Sequence, residues 1–240
     1  VLDAALAEEL YQETEGNALF VVETVRAGLS AAGSSSAWAM PPSVHEAIAG
    51  RLQRLSRPAQ ELAGLAATVG RAFTFGVLAL ASGDDEETLV QGLDELWQRR
   101  VVREQGADAY DFSHDKIREV AYARLSAARR RLLHRRVAEA LETFYVDNLD
   151  PVSGQIGAHV QMAGLPEQAI THYRRAADAA QRIYAHQEAV AYWTQALELL
   201  DGLPAVPIPP EERRWLAADL YEGLGDVLAL TGRYEDARAA

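Results

Sequence analysis

His114 and Asp115 are the residues whose position in the sequence first suggests chemistry. In the stretch 101–122, apolar residues alternate on either side of a Gly-Ala-Asp turn, and a helical pattern begins at Lys116. His114 is therefore expected where a strand gives way to a helix. The first amides of a helix are unpaired, and an adjacent imidazole adds a donor that a phosphate oxygen can accept. We predict that His114 senses a nucleotide held by a domain that this chain does not contain.

Two other roles are compatible with the same residues. In the first, His114 only caps the helix and orders the hairpin. In the second, His114 and Asp115 belong to a metal-dependent phosphohydrolase, although no second His stands at the short helical spacing that would complete such a ligand set. The remaining histidines lie in helical runs and predict no joint geometry: His45, His134, His159, His172 and His186.

A basic region between Arg99 and Arg136 is the second candidate site. It has eleven Lys or Arg against five Asp or Glu, and a winged helix with that excess could bind DNA phosphates. The helix that would enter the groove, however, carries several acids that the duplex would repel. The alternatives are a solvated helix face or a docking face for an acidic part of a longer protein. The residues of the patch are Arg129, Arg130, Arg131, Arg135 and Arg136.

Composition limits the class of protein. The 240 residues are 49% hydrophobic and rich in Leu and Ala, which favour helix. A net charge of −12 argues against the whole chain being a nucleic-acid binder. The absence of cysteine excludes disulfides and thiolate metal sites, and no apolar run reaches the ~18 residues of a membrane span. We predict a cytoplasmic protein without membrane contact. Because the chain begins without Met and stops within a helical pattern, we also predict a piece of a longer protein.

The order of elements predicts the fold. A Ser-rich linker is expected at 31–37, followed by several helices and then the two-stranded hairpin, which is the order of a winged helix-turn-helix. After Asp150, the set Gly164, Ala169, Tyr173 and Ala176 has the spacing of Tyr184, Ala189, Trp193 and Ala196. This spacing is typical of tetratricopeptide (TPR) repeats, in which small residues let helices approach and aromatics fill the gaps. Trp193 and Trp215 are predicted to be packing residues, and Trp97 is predicted to lie with Leu89, Leu93 and Leu96 on the inner face of a helix. The fold class is therefore mainly α: a winged helix-turn-helix with a small β-hairpin, followed by a TPR-like α-solenoid.

Three motifs, in this order, resemble one protein family. Residues 14–21, Thr-Glu-Gly-Asn-Ala-Leu-Phe-Val, look like the lid motif of the signal-transduction ATPases with numerous domains (STAND), a group that includes the maltose-regulon activator. Residues 41–43, Pro-Pro-Ser, precede a helix ending in Arg51-Leu52. They and residues 112–119, Phe-Ser-His-Asp-Lys-Ile-Arg-Glu, are similar to the winged-helix portion of bacterial members.

The resemblance implies roles for individual residues. In that family the winged-helix His contacts the β-phosphate of ADP, which would make His114 the nucleotide sensor and Asp115 its helix-capping neighbour. Asn17 and Ala18 would be possible lid contacts, with Ala18 standing where the family usually has a proline. ATP or ADP with Mg would be bound by an upstream ATPase domain of the same chain. This fragment has no phosphate-binding loop, since its single lysine, Lys116, follows Asp115. We therefore expect no enzyme activity and no bound cofactor in the fragment alone.

The resemblance and the element order together predict segments and a function. The segments are a helical lid remnant (1–37), a winged-helix domain (38–125), a connecting helix (126–151) and truncated TPR-like repeats (152–240). The expected function is that of a regulatory and interaction segment of a multidomain ATP-dependent signalling or transcriptional regulator. Its TPR-like repeats would bind an effector or a partner protein, and DNA could be bound through another domain. The alternatives are a winged-helix DNA-binding protein that uses the Arg99–Arg136 region, or a passive helical scaffold.

Overall fold

The computed structural model describes residues 42–204 and 209–233, together with Glu8, Tyr11, Val21 and Ala237. Within these residues it has ten α-helices, a short 3-10 helix and one three-stranded sheet, so the mainly α class is confirmed. The predicted lid contacts Asn17 and Ala18 and the linker 31–37 lie outside the described residues. In the described part of the chain, no helix combines the length and the apolar character needed to cross a membrane.

The elements follow one another closely. From residue 42 to residue 123 they are α1 (Pro42–Gln53), α2 (Arg57–Val69), β1 (Ala72–Thr74), α3 (Phe75–Ser82), α4 (Glu86–Gln98), β2 (Val102–Gln105), β3 (Ala109–Phe112) and α5 (Asp115–Ala123). They continue as α6 (Ala127–Phe144), a 3-10 helix (Asp150–Val152), α7 (Ser153–Met162), α8 (Pro166–Arg182), α9 (His186–Gly202) and α10 (Pro210–Leu230).

Local sequence explains where several of these helices begin. Hydroxyl or carboxylate oxygens of Ser56, Asp85 and Ser126 accept hydrogen bonds from amides in the first turns of α2, α4 and α6. Each cap satisfies an amide that the helix itself leaves unpaired. The β2–β3 turn contains Gly106 at φ 82°, a left-handed conformation that glycine adopts without a steric penalty.

The chain separates into two compact units. Unit 1 comprises Val1–Phe73 and Asp84–Leu125, and unit 2 comprises Thr74–Gly83 and Ser126–Ala240. Helix α3 thus belongs to unit 2, although the chain on either side of it belongs to unit 1. The predicted segment boundaries stay a prediction.

Unit 1 contains a small sheet with strand order β1-β3-β2, in which β2 is contacted by α4 and β3 by α5. Strands β2 and β3 pair antiparallel, as the sequence predicted, and Val102 lies opposite Phe112. The strand β1 was not predicted, because three residues are too few for a period-two pattern. Leu89, Leu93 and Leu96 are buried as expected for α4, but Trp97 is 50% exposed, so its predicted place on the inner face was wrong.

In unit 2, each helix packs mainly on its neighbour along the chain. Helix α3 packs on α6, and α6, α7, α8, α9 and α10 then follow in series. Small residues allow this close approach: a Cβ atom at Gly157 would lie 2.9 Å from the Tyr173 ring, and one at Gly223 would meet Trp193. Six positions of the predicted repeat pattern are buried, namely Ala169, Tyr173, Ala176, Ala189, Trp193 and Ala196, whereas Tyr184 of the same pattern is 81% exposed.

Candidate functional site

His114 occupies the predicted strand-to-helix junction. Strand β3 ends at Phe112, and His114 is the N-cap residue of α5, with extended backbone angles. Its Nδ1 accepts a hydrogen bond of 3.1 Å from the Lys116 amide, and the residue is only 5% exposed. The imidazole therefore occupies the place that Ser or Asp usually takes at an N-cap.

This geometry bears on the predicted sensing role. Because Nδ1 accepts from a backbone amide, only Nε2 of this buried ring could donate to a phosphate. The capping alternative is the one that this arrangement favours. The nucleotide-sensing role of His114 stays a prediction.

Asp115 contributes charge at the surface of unit 1. It is the first residue of α5, where a carboxylate interacts favourably with the helix dipole. Its Oδ2 lies 2.7 Å from the Arg71 guanidinium, and its Oδ1 lies 3.9 Å from Arg118. Asp115, predicted to be the helix-capping neighbour of His114, is thus flanked by two arginines.

The basic residues between 99 and 136 are divided between the two units. Those up to Arg124 belong to unit 1, and Arg129, Arg130, Arg131, Arg135 and Arg136 belong to unit 2. Arg136 donates to the Ser82 carbonyl at 3.2 Å, whereas Arg131 and Arg135 are exposed. The acids at the start of α4, residues 84–87, are exposed as well, and they would repel a DNA duplex.

A groove in unit 2 is a candidate binding site formed by described residues. Its volume is about 490 Å³, within the range of small-molecule and peptide sites. Its floor is made of small side chains from α8, and its rim is polar. The floor residues are Ala176, Ala179 and Ala180, and the polar rim residues are Asn148, Asp150, Arg182, Glu188 and Tyr192.

The charges at the rim are held in place by one carboxylate. Asp150 accepts a hydrogen bond of 2.7 Å from Arg175 Nε and a further one from Arg182. The hydrogen bond from Arg175 is the main reason why the pKa of Asp150 lies below its usual value. Because Glu188 adds a second negative charge, the rim presents both signs of charge around an apolar floor.

An exposed turn between α8 and α9 borders the groove. Ile183 and Ala185 line the groove, and Tyr184 between them is 81% exposed. Tyr184 has φ 61°, and the amides of Tyr184 and Ala185 bond back to Gln181 and Ala180. This is the Schellman end of a helix, where the left-handed residue is usually glycine. The exposed Tyr184 is held in a conformation that costs about 1 kcal/mol for a residue with a Cβ.

Unit 2 also brings two histidines together that the sequence did not pair. Nδ1 of His134 on α6 lies 2.8 Å from Nδ1 of His159 on α7, and each residue is 7% exposed. Their spacing in the sequence did not indicate the contact, because His134 lies ten residues before the end of α6 and His159 lies six residues after the start of α7. No group of three or more metal-binding side chains occurs among the described residues.

Comparisons with known proteins give little further guidance. No family model and no solved structure matches the chain. A stretch of 158 residues, 62% of the chain, is 30% identical to an uncharacterized protein of Rhizobium meliloti (strain 1021). The chain spans only 15% of the length of that relative.

Proposed function

We propose that the chain is the regulatory and interaction segment of a multidomain ATP-dependent signalling or transcriptional regulator of the STAND type. In this proposal the segment from α1 to α5 is a winged helix, and unit 2 contains a TPR-like array whose groove binds an effector or a partner protein. The observation that carries the binding role is the groove itself, with its alanine floor and its rim of both charges.

The element order supports the winged-helix assignment of the segment from α1 to α5. From α2 onward the elements run helix, strand, helix, helix, strand, strand, and the third strand lies between the other two. That order and that strand arrangement are the ones a winged helix requires. Helix α4 would then be the groove-entering helix, and its acidic surface argues for a role without DNA.

The packing of small residues against aromatics supports the TPR-like assignment of unit 2. Gly154 and Gly157 on α7 make room for Tyr192 and Tyr173, and Gly223 on α10 makes room for Trp193. Serial packing of each helix on the next is what a solenoid needs, because each repeat contacts only its neighbours. The length of the Rhizobium relative supports a large parent protein.

The nucleotide part of the proposal rests on the family resemblance. ATP or ADP with Mg would be held by an ATPase domain outside the described residues, in a cytoplasmic protein. If His114 reads that nucleotide, Nε2 would donate to it while Nδ1 keeps accepting from the Lys116 amide. Binding at the groove would then bias the same equilibrium through a coupling of a few kcal/mol.

Filling the groove tests its binding role. Ala179→Trp places an indole on the floor, and Thr171→Trp places one on the exposed face of the same helix as a matched control. Screening small molecules and peptides by thermal shift should give ligands that stabilise the wild type and Thr171→Trp but not Ala179→Trp. If Ala179→Trp keeps every ligand, the groove is not the binding site.

Removing the imidazole tests the sensing role. His114→Ala in the full-length protein should weaken ADP retention and raise basal activity, if the ring contacts the nucleotide. Ser126→Ala, which removes the cap of α6 instead, serves as the control for cap loss alone. Equal ADP affinity in the wild type and both variants would remove the sensor role and leave His114 as a cap.

A further inference from the structure

A hydrogen bond between two buried imidazoles joins α6 to α7. The Nδ1 atoms of His134 and His159 are 2.8 Å apart, and the ring centroids are 5.1 Å apart. Such a bond needs one protonated and one unprotonated nitrogen, so the accepting ring must be neutral. We propose that this pair makes the packing of α6 on α7 sensitive to acid, and that the helices separate when the accepting Nδ1 is protonated. This inference is independent of what the groove binds.

Protonation of the pair occurs in two unequal steps. A first proton can add to the ring nitrogen away from the contact, which leaves the Nδ1–H···Nδ1 bond intact. A second proton must add to the accepting Nδ1, and this sets two N–H groups and two positive charges against each other at 2.8 Å. Burial and like charge both oppose that step. While α6 and α7 are packed together, the pair therefore binds at least one proton fewer than two free imidazoles can bind.

Burial and a neighbouring arginine oppose a positive charge on His134. Arg130, one turn before His134 on α6, adds to the effect of burial, and both lower the pKa of His134. Helix α7 has no titratable side chain besides His159, and α3, which packs on α6, has none.

Helix α8, which packs on α7, contributes one more histidine. His172 Nε2 lies 3.2 Å from Glu142 Oε1 on α6, and burial lowers the pKa of His172 more than Glu142 raises it. The remaining charged groups on that side are Arg175 and Arg182, both held by Asp150 of the 3-10 helix, and Glu167, Arg174 and Asp178 of α8. His172 is therefore the group that a test must separate from the pair.

The direction of the pH effect follows from proton binding. When the helices open, both imidazoles titrate near the ordinary value of about 6.5, so the open state binds more protons than the closed state below that pH. Opening is therefore favoured as the pH falls, and each excluded proton raises the opening constant about tenfold per pH unit. Above about pH 7 the pair contributes no pH dependence.

Hydrogen exchange of the 240-residue chain measures this opening. Amides of α6 and α7, corrected for intrinsic exchange, should show an opening constant that rises about tenfold per unit below pH 6.5, while amides of α4 in unit 1 should not. His159→Asn should remove the rise, because a carboxamide can donate to or accept from His134 Nδ1 in either protonation state. His172→Asn should keep it.

Two results with the variants would overturn the proposal: an unchanged acid response in His159→Asn, and a lost response in His172→Asn. A further test uses the wild type alone, so it does not depend on a variant folding. Nitrogen-15 NMR of the imidazoles at neutral pH should show one ring protonated at Nδ1 and the other at Nε2. Two rings that titrate independently near pH 6.5 while α6 and α7 stay protected would rule the switch out.

Discussion

Units 1 and 2 bury polar side chains in different ways. In unit 1, Asp111 accepts two hydrogen bonds, of 2.7 and 2.8 Å, from the Arg103 guanidinium, and His114 accepts from a backbone amide. Neither donor changes its protonation near neutral pH. In unit 2, His134 and His159 depend on each other, so the partner of each is itself titratable. The same residue type thus caps a helix in one unit and joins two helices in the other.

The cores differ as well. Phe112, Leu89 and Leu96 are fully buried in unit 1, whereas unit 2 packs aromatic rings against glycines. Substitutions that enlarge or remove a side chain should therefore act differently in the two units.

The largest effect is expected at an aromatic of unit 2. Trp193 is 3% exposed, so Trp193→Ala should lower the free energy of unfolding by about 3–5 kcal/mol, by lost burial and a cavity. Trp97→Ala in unit 1 is the matched control, because Trp97 is 50% exposed, and it should change stability by under about 1 kcal/mol. Urea denaturation measures both, and similar losses would contradict the packing contrast.

The ion pair of unit 1 comes next. Asp111→Asn should cost about 1.5–3 kcal/mol at pH 7, since the carboxylate accepts hydrogen bonds from a charged group. The hydrogen bond from Arg103 is the main cause that lowers the pKa of Asp111. A lowered carboxyl pKa gives stability that is present above about pH 4 and is lost as the pH falls through the folded value. Acid titration of unfolding free energy should show this loss in the wild type and not in Asp111→Asn.

Glycine substitutions should also have different effects in the two units. Gly223→Ala in unit 2 should cost about 1–3 kcal/mol, because the added Cβ meets the Trp193 ring. Gly50 on α1 of unit 1 has no atom within 4 Å of where a Cβ would lie. Gly50→Ala should therefore stabilise by about 0.5–1 kcal/mol through helix propensity. If Gly223→Ala and Gly50→Ala shift the thermal denaturation midpoint in the same direction, the helices are not tightly packed at Gly223.

Loss of the His114 cap should have a moderate effect. His114→Ala removes the acceptor for the Lys116 amide and should cost about 0.5–2 kcal/mol. His45→Ala, at an exposed position on α1, is the control and should stay within about 0.5 kcal/mol. If both variants unfold at the same denaturant concentration as the wild type, the cap does not contribute to stability.

The smallest effect concerns the two left-handed helix ends that lack glycine. Tyr184 in unit 2 and Arg100 in unit 1 have φ 61° and 54°. Either residue changed to glycine should gain about 1 kcal/mol, because the Cβ penalty disappears. Gly164→Ala, at the equivalent end of α7 with φ 83°, should lose a similar amount. If Tyr184→Gly destabilises the chain, the exposed ring makes a stabilising contact.

Local pattern predicted much of the chain. The alternation around Gly106 predicted the β2–β3 hairpin, and the change of period at Lys116 located His114 at a strand-to-helix junction, because both features depend on neighbouring residues only. The spacing of Ala169, Tyr173 and Ala176 likewise predicted a buried helix face. Predictions that depended on what covers a helix were less successful. Trp97 and Trp215 were assigned to packing, yet they are 50% and 77% exposed, since a helical pattern identifies a face but not the element that will cover it.

The sequence by itself determined the helices, their caps and the hairpin, because propensity, capping and period act over a few residues. Only the tertiary structure decided that α3 joins α6 rather than its chain neighbours, that His134 meets His159, and that Asp150 gathers Arg175 and Arg182 beside an open groove. These contacts join residues 25 or more positions apart. Their geometry depends on how whole helices pack, which local chemistry does not specify.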